Sequence, residues 1–284
     1  MKSENVRRGL LAGLMLVVLV ASVGIAWMLE RRSDKKTEAG AQIIRQVREK
    51  GLGNYWSDKL QIDWFLVQAY GETIGWKASA KGKIANGNFV GVDIEIVPNR
   101  SHSHEIWTLN PDATIGNYHA EDSNGYKTDI SLKDGLVKVR RHAGGAGTPV
   151  AHSKAPENYL PEGTLQLAVQ GVAKARANAQ FAMVFNEQAI ADDVVEFGTL
   201  RMKYVGKKKN SQGKDVNRVT MSKARMGRKH KIVYDLDEKG KILVIYGEKM
   251  QWTSAKKQDV QKAFANAPQL LQQMLLIALH AGNK

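Results

Sequence analysis

FVGVDIEIVPNRSHSHEIWTL, residues Phe89 to Leu109, decides the fold. In its first half Val92, Ile94 and Ile96 alternate with Asp93 and Glu95. Successive side chains of an extended chain point to opposite sides, so this alternation describes a strand with one buried and one wet face. Pro98-Asn99 then offers turn chemistry, and Ser103 to Leu109 returns as a second run rich in β-branched and aromatic residues.

Outward from this hairpin the same punctuation recurs. Ile62 to Ala69, Thr73 to Lys83, Ile115 to Asp122, Lys127 to Leu132 and Leu136 to Arg141 are short strand-like runs, separated by Gly71, Asn86-Gly87, Asn110-Pro111-Asp112, Asn124-Gly125 and Asp134-Gly135. Regular turns at this spacing predict consecutive antiparallel strands. His142 to Asn158, rich in Gly, Ala and Pro, predicts a surface loop. Pro161 is the predicted first residue of a helix to about Ala175, with Leu165, Ala168, Val169 and Val172 on one face. Strands resume over Phe181 to Asn186, Val194 to Val205, Asn217 to Ala224, Lys229 to Leu236 and Ile242 to Trp252. Lys207 to Asn210 and Asp237 to Gly240 read as hairpin tips. The hairpin at Ile106 to Asp112 is echoed at Tyr234 to Gly240. Two meanders separated by a helix predict a mainly β (α+β) fold: one curved antiparallel sheet, a half-barrel packed on a central helix. Lys256 to Ala281 reads as helix interrupted near Pro268, its apolar residues suited to covering a sheet face.

Gly9 to Leu29 holds 21 residues without a charge, roughly 32 Å as a helix against a hydrocarbon core of about 30 Å. It reads as a single transmembrane helix. Lys2, Arg7, Arg8 and Gly24-Ile25-Ala26 give the rival signal-peptide reading, but signal h-regions run only about 7 to 15 residues. The expected organisation is a tail over 1–8, the span over 9–29, a juxtamembrane helix and linker over 30–59, the β domain over 60–255 with its inserted helix, and a helical segment over 256–284. Ile43, Ile44 and Val47 give the juxtamembrane helix a small apolar face. Arg31, Arg32, Lys35, Lys36 and Arg45 weigh slightly toward a cytoplasmic domain, yet long domains translocate largely regardless of such charges. The expectation is a bacterial inner-membrane protein with its domain on the periplasmic side.

Several short pieces carry a resemblance: Trp64 followed by Gly71-Glu72-Thr73-Ile74-Gly75-Trp76, the Leu109-Asn110-Pro111-Asp112 hairpin, the Tyr159-Leu160-Pro161-Glu162-Gly163 helix entry and the Asp235 to Gly240 hairpin. In this order, over roughly residues 60 to 255, the chain resembles uncharacterised bacterial envelope domains related to the half-barrels of periplasmic lipoprotein carriers. The resemblance implies a sheet curled over an apolar groove and a non-catalytic binding or transport role. The anchoring helix departs from the soluble carriers.

The net charge of +14 is local. Leu200 to Lys257 holds 17 Lys or Arg against 5 Asp or Glu, while the rest of the chain after residue 29 has 22 of each. An anionic partner for that segment follows, a lipid headgroup or envelope polymer, with Arg201 and Lys203, Lys223 and Arg225, and Lys229 and Lys231 as same-face pairs on strands. The alternative is an edge-protecting, solvated face. No stacking-aromatic signature accompanies the charge, which argues against nucleic acid. Trp64, Trp76, Trp107 and Trp252 are the candidate wall of an apolar groove. There is no cysteine, hence no disulfide or thiolate chemistry. GxSxG and GxxxxGK[ST] are absent, no catalytic set emerges, and no cofactor is implied. His102, His104 and His119 read as exposed histidines rather than a metal site. The competing classes are a metal-dependent hydrolase built on those three, a cytoplasmic polyanion binder, and a scaffold for an envelope partner protein.

Overall fold

The computed structural model describes residues 30–31, 33–142, 150–184, 194–210, 213–225 and 228–282. The span expected over 9–29 and residues 143–149 of the loop predicted after His142 lie outside the described residues. Among the described residues no helix is long and apolar enough to cross a membrane.

The chain begins with α1 over residues 33–50 and a single helical turn at Leu52–Asn54. One meander follows: β1 (Gln61–Ala69), β2 (Glu72–Lys83), β3 (Phe89–Val97), β4 (Ser101–Leu109), β5 (Gly116–Asp122), β6 (Lys127–Lys133), β7 (Leu136–His142) and β8 (Val150–Lys154). After α2 (Leu165–Ala175) a second comprises β9 (Asn178–Met183), β10 (Gly198–Lys209), β11 (Asp215–Arg225), β12 (Arg228–Leu236), β13 (Ile242–Tyr246) and β14 (Gln251–Ala255). Helices α3 (Lys257–Ala263) and α4 (Ala267–Gly282) close the chain. All fourteen strands form one antiparallel sheet, ordered β8-β7-β6-β5-β4-β3-β2-β1-β14-β13-β12-β11-β10-β9. The meanders are joined where the first strand meets the last, Trp64 opposite Ala255 and Val67 opposite Trp252.

The sheet curls until its edges approach. His152 of β8 bridges Val194, just ahead of β10, and residues 158–160 run along β9, with Leu160 N–H donating to Ala182 O at 2.8 Å and Ala182 N–H to Asn158 O at 3.0 Å. Edge groups that would otherwise template foreign strands are thereby occupied. The inside is filled by α1 and α2: Ile43, Ile44, Ala168, Val169 and Val172 pack with Phe181, Leu200, Met202, Val219 and Leu236. Ala41, Ile43, Ile44 and Val47 are all buried, so α1 belongs to the domain core.

Sequence and structure differ at several places. The Ile242 to Trp252 run is two strands around a turn closed by Gly247 N–H to Met250 O at 2.8 Å. The loop predicted after His142 contains β8. Helix α2 starts at Leu165 rather than Pro161, because Pro161 to Thr164 forms a turn in which Thr164 N–H donates to Pro161 O. The echo between hairpins is a shared turn device. Asn110 Oδ1 accepts from the Thr114 amide at 2.9 Å, Asp237 Oδ1 from the Lys241 amide at 2.8 Å, and Asp122 and Asn210 accept in the same way at β5–β6 and β10–β11.

The alternation that decided the fold is inverted in space. Trp64, Trp76, Ala78, Ala80, Val90, Val92, Ile94 and Ile106 form the outer face of β1–β4, covered by Val260, Ala267, Leu271 and Ala278 of α3 and α4. The intervening polar residues therefore point inward.

Candidate functional site

Inward-pointing positions line a cavity of about 350 Å³. One wall is apolar, made by Phe65, Leu165, Leu200, Met221, Ile232 and Ile245. The other is built from the polar rows of β2, β3 and β4, and around the cavity as a whole stand five carboxylates (Asp63, Asp93, Glu95, Glu105, Glu162) and three amines (Lys77, Lys81, Lys223). Antiparallel register sets these rows: Lys77 opposite Glu95, and Asp93 opposite both Ser79 and Glu105.

Most of these groups are matched. Lys77 Nζ lies 3.9 Å from Glu95 Oε2, which also accepts from Trp252 Nε1 at 2.9 Å. Burial pulls the Lys77 ammonium down, but Glu95, Asp93 and Glu105 together hold it well above its ordinary value. Lys81, 6% exposed, sits 3.5 Å from Asp63 and donates to Gln166 Oε1. Burial and the neighbouring Asp93 push Glu105 up to about 7 against the pull of Lys77 and the Tyr118 hydroxyl. Tyr234 is pushed up to about 12 by burial.

Among the described residues, two polar atoms on this cavity have no hydrogen-bond partner: Trp107 Nε1 and Glu162 Oε1. Both residues are buried, at 2% and 6% exposure. Trp107 is seated by absence of side chain on both sides: a Cβ at Gly91 would lie 1.9 Å from its ring, and one at Gly163, where φ is +85°, would lie 2.5 Å away. Trp56 packs on it with ring centroids 5.0 Å apart. Glu162 Oε2 accepts from the Tyr159 hydroxyl at 2.6 Å. Burial pushes the Glu162 carboxyl up to about 7, against the Tyr159 hydroxyl and the nearby amides of Glu162 and Val184, none of which closes a hydrogen bond to Oε1. A buried donor and acceptor left open in this way cost about 1 to 3 kcal/mol each unless a ligand or solvent meets them.

The structure divides both groups of residues singled out in the sequence. Of the tryptophans, Trp107 and Trp252 line the cavity, whereas Trp64 and Trp76 lie on the outer face, 5.9 Å apart and covered by α3 and α4. Period-two alternation puts Trp64 opposite in sense to Phe65, and Phe65 points inward. Of the cations, Arg201, Lys203 and Lys231 are exposed on the outer face; Arg201 and Lys231 flank Ser222, and Lys203 flanks Thr220. Lys223 sits opposite inward-facing Leu200 and lines the cavity, so it is not part of an outer ladder. Arg225 and Lys229 occupy positions opposite Arg228 and Ala224; their side chains lie outside the described residues. Glu162 had no sequence signal beyond its place in a helix entry, and nothing in a Pro-Glu-Gly run announces that its carboxyl is buried.

No family model matches the chain, and no curated protein matches it. Among solved structures, it is similar to a crystal structure described as a beta-barrel-like protein of domain of unknown function DUF1849 from Brucella abortus, at 12% identity and a TM-score of 0.49, covering 69% of this chain and 95% of that one.

Proposed function

We propose that this chain is a membrane-anchored bacterial envelope protein whose curved sheet binds one amphipathic small molecule, by contact rather than by catalysis. Residues 9–29 hold it to the inner membrane with the domain on the periplasmic side, where a C-terminal reporter that requires the cytoplasm would be silent. The observation that carries the binding reading is the pair of open polar atoms, Trp107 Nε1 and Glu162 Oε1, on the wall of a 350 Å³ cavity whose other wall is apolar. That volume is at the lower end of the range for small-molecule sites, about 300 to 1,000 Å³. The ligand's apolar part lies against Leu200, Met221 and Ile232, and its polar end offers an acceptor to Trp107 and a donor to Glu162. The acidic excess inside disfavours an anionic headgroup there. Anionic envelope material instead meets the outer face at Arg201, Lys203 and Lys231, each contributing about 1 kcal/mol next to an anionic bilayer.

The test is titration of the full chain with N-phenyl-1-naphthylamine, read by probe fluorescence. Leu200→Trp and Met221→Phe, which fill the apolar wall, are expected to weaken binding at least tenfold with unchanged far-ultraviolet circular dichroism. Equal affinity in the parent and both filled variants would remove the cavity as the binding site. Energy transfer from the domain's tryptophans to dansyl-labelled lipid, in phosphatidylglycerol proteoliposomes of the full chain, addresses the outer face: Arg201→Glu, Lys203→Glu and Lys231→Glu together are expected to reduce it without changing probe affinity, and unaltered energy transfer would contradict that role.

A further inference from the structure

We infer that the outer face of β4 and β5 holds a divalent transition-metal site, of the kind that takes zinc, with His104, His119 and Glu121 as ligands. His104 stands opposite Glu121, and His119 stands opposite Ile106 two positions along, so all three emerge on one face of the sheet. One donor atom from each lies within 4.8 Å of the others, and the two imidazole centroids are 6.1 Å apart. Tetrahedral zinc with bonds of about 2.1 Å needs donors about 3.4 Å apart. The set therefore closes by small side-chain rotations, and His104 Nε2 and Glu121 Oε2 are already 3.8 Å apart.

A second feature prepares the site. Asp129 Oδ1 lies 2.7 Å from His119 Nδ1, and Asp129 Oδ2 lies 3.0 Å from His142 Nε2. A carboxylate accepts, so Nδ1 of His119 carries the proton and Nε2 presents its lone pair. This carboxylate-imidazole pairing orients and strengthens metal-binding histidines. Two imidazoles and one carboxylate make a borderline-soft donor set that favours zinc, copper or nickel over magnesium or calcium, and three protein ligands leave a coordination position for water. The Lys127 ammonium, 3.1 Å from Glu121 Oε2, occupies that carboxylate and competes with the cation. The cluster faces away from the cavity, so this site stands independently of amphiphile binding.

The experiment is calorimetric titration of the full chain with zinc chloride at pH 7.5. One site of micromolar or tighter affinity is expected. His104→Ala and His119→Ala should each weaken it at least tenfold, and Lys127→Met should tighten it. Asp129→Asn, a positioning change, should weaken it about 10- to 100-fold with an unchanged far-ultraviolet circular dichroism spectrum. His152→Ala and His230→Ala should change nothing. Zinc affinity equal in the parent and the His104→Ala/His119→Ala variant would overturn the assignment, as would a loss that follows His142→Ala but not His104→Ala. Should the variants fail to fold, electron paramagnetic resonance of the parent chain with one equivalent of cupric ion decides: hyperfine coupling to two imidazole nitrogens supports the site, and a spectrum without nitrogen coupling refutes it.

Discussion

Arg218→Ala is expected to destabilise the domain by about 3 to 5 kcal/mol, the cost of leaving a buried charge without its partner. Asp235 on β12 has no solvent exposure, and Arg218 stands directly opposite it on β11. Two parallel hydrogen bonds join them, Nε to Oδ1 at 2.7 Å and Nη2 to Oδ2 at 2.8 Å. Arg218 also lies 5.8 Å over the Tyr246 ring, which ties β11 to β13. Removing the guanidinium strips the carboxylate of both bonds. The control is the double variant Arg218→Leu/Asp235→Leu, which removes charge and partner together and is expected to cost much less. Urea unfolding measures both. A loss below about 1 kcal/mol for Arg218→Ala would mean that solvent reaches Asp235 and that the pair is not a structural element of the second meander.

Stability is also expected to fall as pH rises from about 4.5 to 8. Glu162 has its carboxyl raised from 4.5 to about 7 in the folded chain. A carboxyl raised on folding binds its proton more tightly in the native state, so its stabilising contribution is complete below 4.5 and is lost as pH climbs through 7. For Glu162, buried at 6% exposure, the change is roughly 3 kcal/mol across that window. Glu105, raised by burial and by Asp93, acts in the same direction. Lys77 opposes the shift of Glu105, and the Tyr159 hydroxyl opposes that of Glu162. Asp112 and Asp129 behave oppositely: burial raises them, but hydrogen bonds from Thr114 and from His119 and His142 outweigh it, so their contribution disappears only as pH falls below about 4. Glu162→Gln keeps an acceptor for the Tyr159 hydroxyl and removes the titration. Melting temperatures at pH 5 and pH 8 should therefore differ less in Glu162→Gln than in the parent, with the gain at pH 8. Parallel pH profiles for the two proteins would place the Glu162 carboxyl in contact with solvent.

The strand order was legible because it is written locally. Turns at Asn86-Gly87, Asn110 to Thr114, Asn124-Gly125 and Asp134-Gly135 enforce hairpins between neighbours, and β1 to β7 start and stop within two residues of the runs read from sequence. The sense of the sheet was not legible. Alternation labels two faces without saying which is inside. Here Val92 and Ile94 are outside because the apolar stripe of α4, some 170 residues later, covers them. The same parity separates Lys223 in the cavity from Lys231 on the surface, since Lys231 pairs with Ser222, one residue away. The candidate cavity was visible only through Trp107 and Trp252. Its acidic wall looked like the wet face of a sheet. Strand β8 was hidden by its Gly- and Pro-rich surroundings, and the Gly247 turn by a Gly-Glu-Lys-Met run that lacks strong turn chemistry. His104 and His119 were noticed, but Glu121 joins them only through the β4–β5 register.

The most direct test of the central claim, that the interior of the sheet is a binding site, is native mass spectrometry of the full chain purified gently from the cells that make it. A single bound amphiphile per chain is predicted, released on acid denaturation and missing from Leu200→Trp. A bare polypeptide mass in the parent chain, together with no uptake of N-phenyl-1-naphthylamine, would contradict the account.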